Sequence, residues 1–335
     1  MTAHSHPPLR WGLLSTARIN RALITPLRSS RRNTLAAVAS RSQAGAEAYA
    51  REWNIPRAHG SYEALLADPE IDVVYNPLPN HLHAEWTIRA VEAGKHVLCE
   101  KPLALTLAEV DAMAAAAQKH RRVVAEAFMY RHHPQTLKVK ELVEAGTIGA
   151  LQFVRGSFSF FLRADTNIRL DPAMGGGSIW DIGCYPISFI RHLVGAEPRE
   201  VFGRQTTGKT GIDAAFFGQM SFPGGVHAQF DSSFYAPLRT QMEIVGTEGA
   251  ITLPAPFKPG ESEEILLLRD GNEREMLRLP GPPLYDGEVE DMADCILTGK
   301  TPRVTLVDSR ANVAAIVALL ESAKTGKPVT LSTHG

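Results

Sequence analysis

Residues 71–104 read IDVVYNPLPNHLHAEWTIRAVEAGKHVLCEKPLA. Two short runs, Ile71 to Tyr75 and His96 to Cys99, are mostly apolar, and between them Ala84 to Ala93 carries a helix pattern that stops at Gly94. Apolar runs this short suit strands buried on both faces. Strand, helix and strand in ~30 residues make a crossover unit with parallel strands. The same rhythm extends both ways. Upstream lie Arg10 to Ser15, a helical stretch, Thr34 to Ala39 and the Ala/Glu-rich segment Ala44 to Trp53. Downstream, Thr106 and Glu109 form a capping box opening a helix of Leu107, Val110, Met113 and Ala117, and Val123 to Phe128 closes the series. Right-handed crossovers then give a doubly wound parallel sheet, the Rossmann arrangement.

After about Gly149 the rhythm changes. Leu151 to Phe161, Ala214 to Phe222, Val226 to Phe234, Thr240 to Val245 and Glu264 to Leu268 follow one another with few helices between. Turn signals stand at Pro223-Gly224-Gly225, Gly246-Thr247-Glu248-Gly249 and Asp270-Gly271-Asn272. This pattern predicts a large, mainly antiparallel open sheet. Two helices return near the end. The last is expected to start with Asp308 as N-cap, to bury Val313, Ile316, Val317 and Leu320, and to stop at Gly326. The fold class is therefore α/β, an N-terminal Rossmann sheet followed by a C-terminal α+β domain. The expected division is a flexible tail at 1–9, a dinucleotide domain at 10–128 and a substrate and oligomerisation domain at 129–335, with the C-terminal helix able to pack back on the first domain.

Composition narrows the function. The 335 residues are 44% hydrophobic, enough for two cores, and Lys plus Arg (35) against Asp plus Glu (36) leaves a net charge of -1. That balance, without a basic run, argues against a nucleic-acid partner. No stretch approaches the ~18 apolar residues of a membrane span. The N-terminus MTAHSHPPLR has neither the basic nor the apolar region of a signal peptide. Cys99, Cys184 and Cys295 stand far apart, which fits a reducing compartment, so a cytoplasmic enzyme is expected. His81/His83 and His132/His133 have poor metal-ligand spacing and no accompanying carboxylate or Cys pattern, so metal is read as absent.

The first strand–turn–helix sits where a dinucleotide fingerprint would. A GxGxxG template falls on Ser15, Ala17 and Asn20, so all three glycines are missing. The replacements are small, and the backbone of Ser15, Thr16, Ala17, Arg18 and Ile19 can still meet a pyrophosphate at the helix N-terminus. The second strand ends Ser40-Arg41, without the acid that would hold the ribose hydroxyls of NAD. Arg41 pairing with a 2′-phosphate, and Ser40 bonding it, favours NADP over NAD. Three more polar clusters fall at strand ends: Asn76 to His83, with Pro77, Leu78, Asn80 and His83; Glu100-Lys101-Pro102; and Glu126 to Arg131. In open α/β sheets these ends line the ligand crevice.

Glu100-Lys101-Pro102, preceded by Ala90 to Lys95, resembles the EKP signature of the Gfo/Idh/MocA oxidoreductases, and the stretch GGGSIWDIGCYP at 175–186 is similar to that family's second signature. The resemblance runs from about Arg10 to Leu331. It implies a first domain that binds NAD(P) and a second whose open sheet helps form the substrate pocket and a homodimer or higher oligomer. By position in the motifs, Lys101 matches the catalytic lysine, Asp181 the acid before the proton-transfer residue, and Tyr185 that residue itself, where many members have His. Tyr resembles the glucose–fructose oxidoreductase, dihydrodiol dehydrogenase and xylose dehydrogenase branch. Trp180 replaces a smaller aliphatic residue; Trp180 and Arg169 are candidates to meet substrate, and Arg131 to meet cofactor.

Such an enzyme needs a base for the hydroxyl proton as hydride leaves. A Tyr side chain starts near ~10, and a cation ~4 Å away at an effective dielectric of ~20 is worth at most roughly 4 kcal/mol, or about 3 pKa units. Lys101 could thus bring Tyr185 into range, while Asp181 orients the Lys or a substrate hydroxyl. The expected function is hydride transfer between NADP(H) and a sugar or other small polyhydroxylated alcohol or ketone. The alternatives are a ketosugar reductase on a nucleotide-activated sugar, a trans-dihydrodiol dehydrogenase or, in another class, a non-catalytic NADP sensor.

Overall fold

The structure is a computed structural model that describes residues 6–163, 166–269 and 273–331. It divides into two units. The first comprises the described residues up to Met129 together with Tyr285–Ser309; the second comprises Tyr130–Leu284 and the described residues from Arg310 on.

The first unit is built on β1 (Leu9–Leu13), α1 (Asn20–Ser29), β2 (Asn33–Ala39), α2 (Gln43–Glu52), β3 (Arg57–His59), α3 (Tyr62–Leu66), β4 (Val73–Asn76), α4 (His83–Glu92), β5 (His96–Glu100), α5 (Leu107–His120) and β6 (Val124–Ala127). The strands form a sheet in the order β3-β2-β1-β4-β5-β6, and every pairing is parallel. Apolar residues on both faces explain it. Trp11, Leu13, Val38, Val73, Tyr75 and Leu98 are all buried in one core. The buried Trp11 indole needs an acceptor and has one in Asn33 Oδ1 at 2.8 Å. The Thr106–Glu109 capping box opens α5 as expected.

The second unit contains α6 (Pro134–Glu144), β7 (Leu151–Ser159), α7 (Cys184–Val194), β8 (Glu200–Thr207), β9 (Asp213–Ser221), β10 (His227–Ser233), β11 (Arg239–Gly246), β12 (Gly249–Leu253), β13 (Ser262–Arg269) and β14 (Arg274–Pro280). Then α8 (Asp286–Thr298) returns to the first unit, where Val289, Met292 and Ala293 join its core. Each larger side chain so buried is worth roughly 1.5–3 kcal/mol. The chain ends with α9 (Leu306–Thr325) and β15 (Val329–Thr330). The nine-stranded sheet runs β14-β13-β12-β11-β7-β10-β9-β8-β15, antiparallel except where β10 pairs with β7. Helix α7 lies close on β7, and a Cβ at Gly156 would stand 2.8 Å from that of Pro186.

Several expectations need correction. Helix α9 starts at Leu306, and the Thr305 hydroxyl accepts from the Asp308 N–H, so Thr305 is the cap. Val317 is exposed on that helix, while Leu319 is buried. Strand β7 turns Phe158 into the interior, stacked on Phe257 at 5.3 Å. The outward face of the sheet carries Arg155, Gln219, Gln229 and Gln241 beside the exposed Phe217. The expected turn Asp270-Gly271-Asn272 lies outside the described residues, as do the first five residues of the expected tail.

Candidate active site

In the first unit the sequence-marked clusters stand at the carboxyl ends of the parallel strands. Every residue from Glu100 to Leu103 is tied to a neighbour. The Tyr75 hydroxyl donates to Glu100 Oε1 at 2.6 Å, and the Lys101 N–H donates to Glu100 Oε2 at 3.2 Å. His83 Nδ1 faces the Pro102 carbonyl at 2.8 Å, and the Leu103 N–H donates to Glu126 Oε1 at 2.8 Å. Lys101 therefore projects from backbone fixed on both sides.

His83 is buried, and its Nε2 faces the Leu78 carbonyl at 2.6 Å. Burial above all, against those two carbonyls, holds its pKa down at about 4. The ring staples the Pro77–Leu78 turn to Pro102, and both nitrogens already face backbone. Asn76 does similar work, donating to the His83 carbonyl and to the Thr87 hydroxyl, both at 3.1 Å. Pro77 and Leu78 are buried behind this turn, with Asn80 half-buried at its far side.

Behind Glu100 stand residues the sequence did not single out. Tyr285 and Glu288 are brought in by α8, and Glu288 is buried with both carboxyl oxygens. Burial first, then the nearby Glu100, pushes the Glu288 carboxyl well above the usual range. Burial and the same carboxylates do likewise to the Tyr75 hydroxyl. Glu288 has no local motif and could be found only by knowing that α8 returns to this sheet.

The glycine-free turn fits a pyrophosphate. Ser15 Oγ accepts from the Ala17 N–H at 3.1 Å, and Asn20 Nδ2 donates to the Ser15 carbonyl at 2.7 Å, so side chains shape what glycines would otherwise shape. Thr16 and Arg18 are exposed, Ile19 stands at the N-cap of α1, and the helix has no acid in its first turn. At the end of β2, Ser40 and Ser42 crowd Gly45, where a Cβ would lie 3.0 Å from each hydroxyl oxygen. Arg41 is exposed beside them, and the first turn of α2 also lacks an acid. A 2′-phosphate there would meet a guanidinium and hydroxyls with no carboxylate to repel it. These residues fit NAD(P).

In the second unit, the signature 175–186 forms a π-turn at Ile179–Gly183 leading into α7. Such wider turns re-aim side chains and recur at functional sites. Asp181 accepts from Arg169 Nε at 2.6 Å, an ion pair that joins two of the sequence-marked residues. Trp180 is buried in the same turn. The Tyr185 ring is buried in an aromatic cluster, with Phe158 at 5.5 Å, Phe257 at 5.7 Å and Tyr130 at 5.8 Å. Arg131 is buried too, and its guanidinium reaches Ser188 and His192 of α7 at 3.3 and 3.1 Å. It braces α7, within the second unit.

Among the described residues no group of three or more His, Cys, Asp or Glu is placed to hold a metal ion. No helix among them is long and apolar enough to cross a membrane.

Known proteins match both units. The sequence profile of an oxidoreductase family with an NAD-binding Rossmann fold matches residues 9–128, and that of the GFO/IDH/MocA C-terminal domain matches residues 136–252. D-xylose 1-dehydrogenase (NADP(+)) 2 of Haloferax volcanii is 38% identical over 327 residues, covering 96% of this chain and all of that protein. The trans-1,2-dihydrobenzene-1,2-diol dehydrogenase of Danio rerio is 33% identical, over 90% of this chain and 92% of its own. Among solved structures, aldose-aldose oxidoreductase from Caulobacter crescentus, complexed with glycerol, superposes with a TM-score of 0.90 at 28% identity, covering 97% of this chain and 100% of that one. KijD10, a 3-ketoreductase from Actinomadura kijaniata in complex with NADP and TDP-benzene, gives 0.88 at 28% identity, covering 94% and 98%.

Proposed function

The chain belongs to the Gfo/Idh/MocA family of NAD(P)-dependent oxidoreductases, enzymes acting on CH–OH groups, and from that premise we propose that it moves a hydride between NADP(H) and a sugar or other small polyhydroxylated alcohol. The observation that carries this reading is the way Lys101 is presented. Its backbone is fixed by Tyr75 through Glu100 and by His83 through Pro102, so a cation is held at the carboxyl end of the parallel sheet.

Bound nicotinamide supplies the two-electron hydride chemistry. The residues of this chain handle the proton. Tyr185 takes the hydroxyl proton of the substrate during oxidation and returns one to the carbonyl oxygen during reduction. Lys101 favours the tyrosinate by its charge and donates to the reacting oxygen. Asp181, held by Arg169, presents a carboxylate to a neighbouring substrate hydroxyl. Trp180 restricts the substrate's size from the same turn. Ser40 and Arg41 select NADP, a choice supported by the NADP(+) of the xylose dehydrogenase relative and the NADP bound by the ketoreductase.

Likeness to the ketoreductase favours one second reading, reduction of a ketosugar carried on a nucleotide. A screen of D-xylose and other aldoses with NADP, 3-ketosugar nucleotides with NADPH, and trans-dihydrodiols with NADP separates these, read by NADPH absorbance. Turnover of aldoses supports the proposal. Turnover of nucleotide-linked ketosugars alone would replace it with the second reading, and NADPH binding without turnover of any of them would make the chain a sensor. We also propose that a second copy covers the outer face of the nine-stranded sheet, where Phe217 stands beside the Arg155–Glu243 and Arg239–Asp231 ion pairs. Sedimentation as a monomer at micromolar concentration would contradict it.

A further inference from the structure

The signature at 175–186 begins on a turn whose anchors lie elsewhere in the chain. Asp213, 5% exposed at the start of β9, accepts through Oδ2 from the Ile179 N–H at 2.7 Å and from the Ser178 hydroxyl at 2.8 Å. Gly177 passes so close, at φ +126°, that a Cβ would lie 2.1 Å from Asp213 Oδ1. Neither the conformation nor the space admits a side chain. Ser232 of β10 completes the grip. Its Oγ is 3.0 Å from Ser178 Oγ and would be 3.1 Å from a Cβ on Gly183. The start of the π-turn is thus held by neighbouring strands and its end, at Gly183, lies close against Ser232; Asp213 is the one charged group in the grip.

We propose that Asp213 is the positioning residue of the second unit: its carboxylate fixes where the Ile179–Gly183 turn begins and, through that turn, where Asp181 and Tyr185 stand. The inference rests on the reading of Tyr185 as the proton-transfer group. A neutral acceptor would avoid the cost of burying a charge but hold the turn more loosely, so a buried carboxylate with its stronger charge-assisted bonds points to a demand for geometry.

Burial raises the Asp213 pKa to about 6, while the N–H groups of Ile179, Ser178 and Asp213 itself and the Ser178 hydroxyl oppose that rise. The charged groups on the elements packed against it are engaged elsewhere. Asp181 of the π-turn pairs with Arg169, Asp231 of β10 alternates to the other sheet face and pairs with Arg239, and Thr207, opposite on β8, carries no charge. A proton added to Asp213 lands where donors converge. The Ser178 hydroxyl must then turn toward Ser232, whose carbonyl oxygen is 3.5 Å away, and the turn loses an anchor.

The full chain, Asp213→Asn and Tyr185→Phe are compared by turnover of D-xylose with NADP across pH, by NADPH binding, and by hydrogen exchange of the peptide covering residues 175–186. Asp213→Asn is expected to lower kcat by ~10–100-fold, the scale of a small misplacement of a reacting group, with NADPH binding unchanged. Exchange should quicken by about 10-fold or more in that peptide alone. The wild-type acid limb near pH 6 should be missing from the variant. Normal kcat with normal exchange, or an acid limb that stays in place, overturns the proposal. If Asp213→Asn does not fold, Ser178→Ala keeps the carboxylate and removes one anchor. It should speed exchange in the same peptide, and unchanged protection there counts against the idea equally. If Tyr185→Phe turns over normally, or D-xylose is not a substrate, the parent reading is the one in trouble, and the exchange result alone decides the role of Asp213.

Discussion

At the end of β5, Glu100, Pro102 and Leu103 are tied to three different side chains, those of Tyr75, His83 and Glu126, and Lys101 to that of Glu100, whereas the π-turn before α7 depends on one buried carboxylate and two serine hydroxyls. The first arrangement is redundant. Its partners come from β4, α4 and β6, they hold backbone as well as side chain, and the one histidine among them titrates at about 4, far from neutrality. The second is concentrated on Asp213, which titrates at about 6. The difference teaches where the molecule should respond to its surroundings. Cofactor binding in the first unit should vary little with mild acid, and the placement of Tyr185, the proposed proton-transfer residue, in the second should vary most.

Predictions that test this contrast run from large effects to small. Lys101→Met removes the cation from a well-fixed backbone, so the loss should be chemical. The expected drop in kcat is ~10²–10⁴-fold with NADPH affinity nearly intact, measured by steady-state kinetics and fluorescence titration. An equal loss of NADPH affinity would mean that Lys101 serves binding. Next, Arg41→Asp should weaken NADP by about 2 kcal/mol or more, because a charge-assisted pair becomes a repulsion, while NAD binding holds or improves. Equal NADP affinity at one ionic strength would remove Arg41 from the cofactor site.

A third prediction concerns stability against pH. The folded-state pKa of Asp213 lies above the unfolded value of about 4, so the folded chain holds the extra proton between about pH 4 and pH 6, and stability falls as pH rises through that window. Relative to Asp213→Asn, the wild type should therefore gain on the order of 2 kcal/mol in denaturant unfolding between pH 7 and pH 4.5. Activity should fall over the same range. A carboxylate that mattered only for stability would make the two move together. The smallest effect is expected at Arg32, which ties β2 to α8 through Glu290 and Asp294 at partly exposed positions. Arg32→Ala should cost about 1 kcal/mol after solvent screening, visible as a lower unfolding midpoint with kcat unchanged.

The first unit was legible because its information is local. Apolar runs such as Val73-Val74-Tyr75 and Val97-Leu98-Cys99 define strands without reference to anything distant, and the parallel order places their ends together. Much of the rest depends on sequence separation. Helix α8 looks like any amphipathic helix, and only the fold shows that Val289 and Met292 belong to a core begun at Leu9. The sequence placed all of 129–335 in one domain for that reason. Strands β8 and β14 are too polar to read as strands alone, being paired at the outer parts of a one-sided sheet. Of the proposed site residues, Lys101, Asp181 and Tyr185 announce themselves by motif. Asp213 and Ser232 do not, since nothing in their neighbourhoods marks them as partners of residues 177–183, tens of positions earlier.

The central proposal, that Lys101 and Tyr185 act as one acid–base pair, is tested most directly by a double-variant cycle. Single Lys101→Met and Tyr185→Phe variants and the combined variant are assayed for kcat with D-xylose or whichever alcohol the screen identifies, in folded protein shown to bind NADPH. Residues acting together are non-additive, so each single loss should be ~10²–10⁴-fold and the double variant scarcely worse than the poorer single. The rise of kcat with pH during alcohol oxidation should disappear in Tyr185→Phe. Losses that multiply in the double variant, or a Tyr185→Phe enzyme with near-normal turnover and the same pH limb, would contradict the account and leave Tyr185 as one more packed ring beside Phe158 and Phe257.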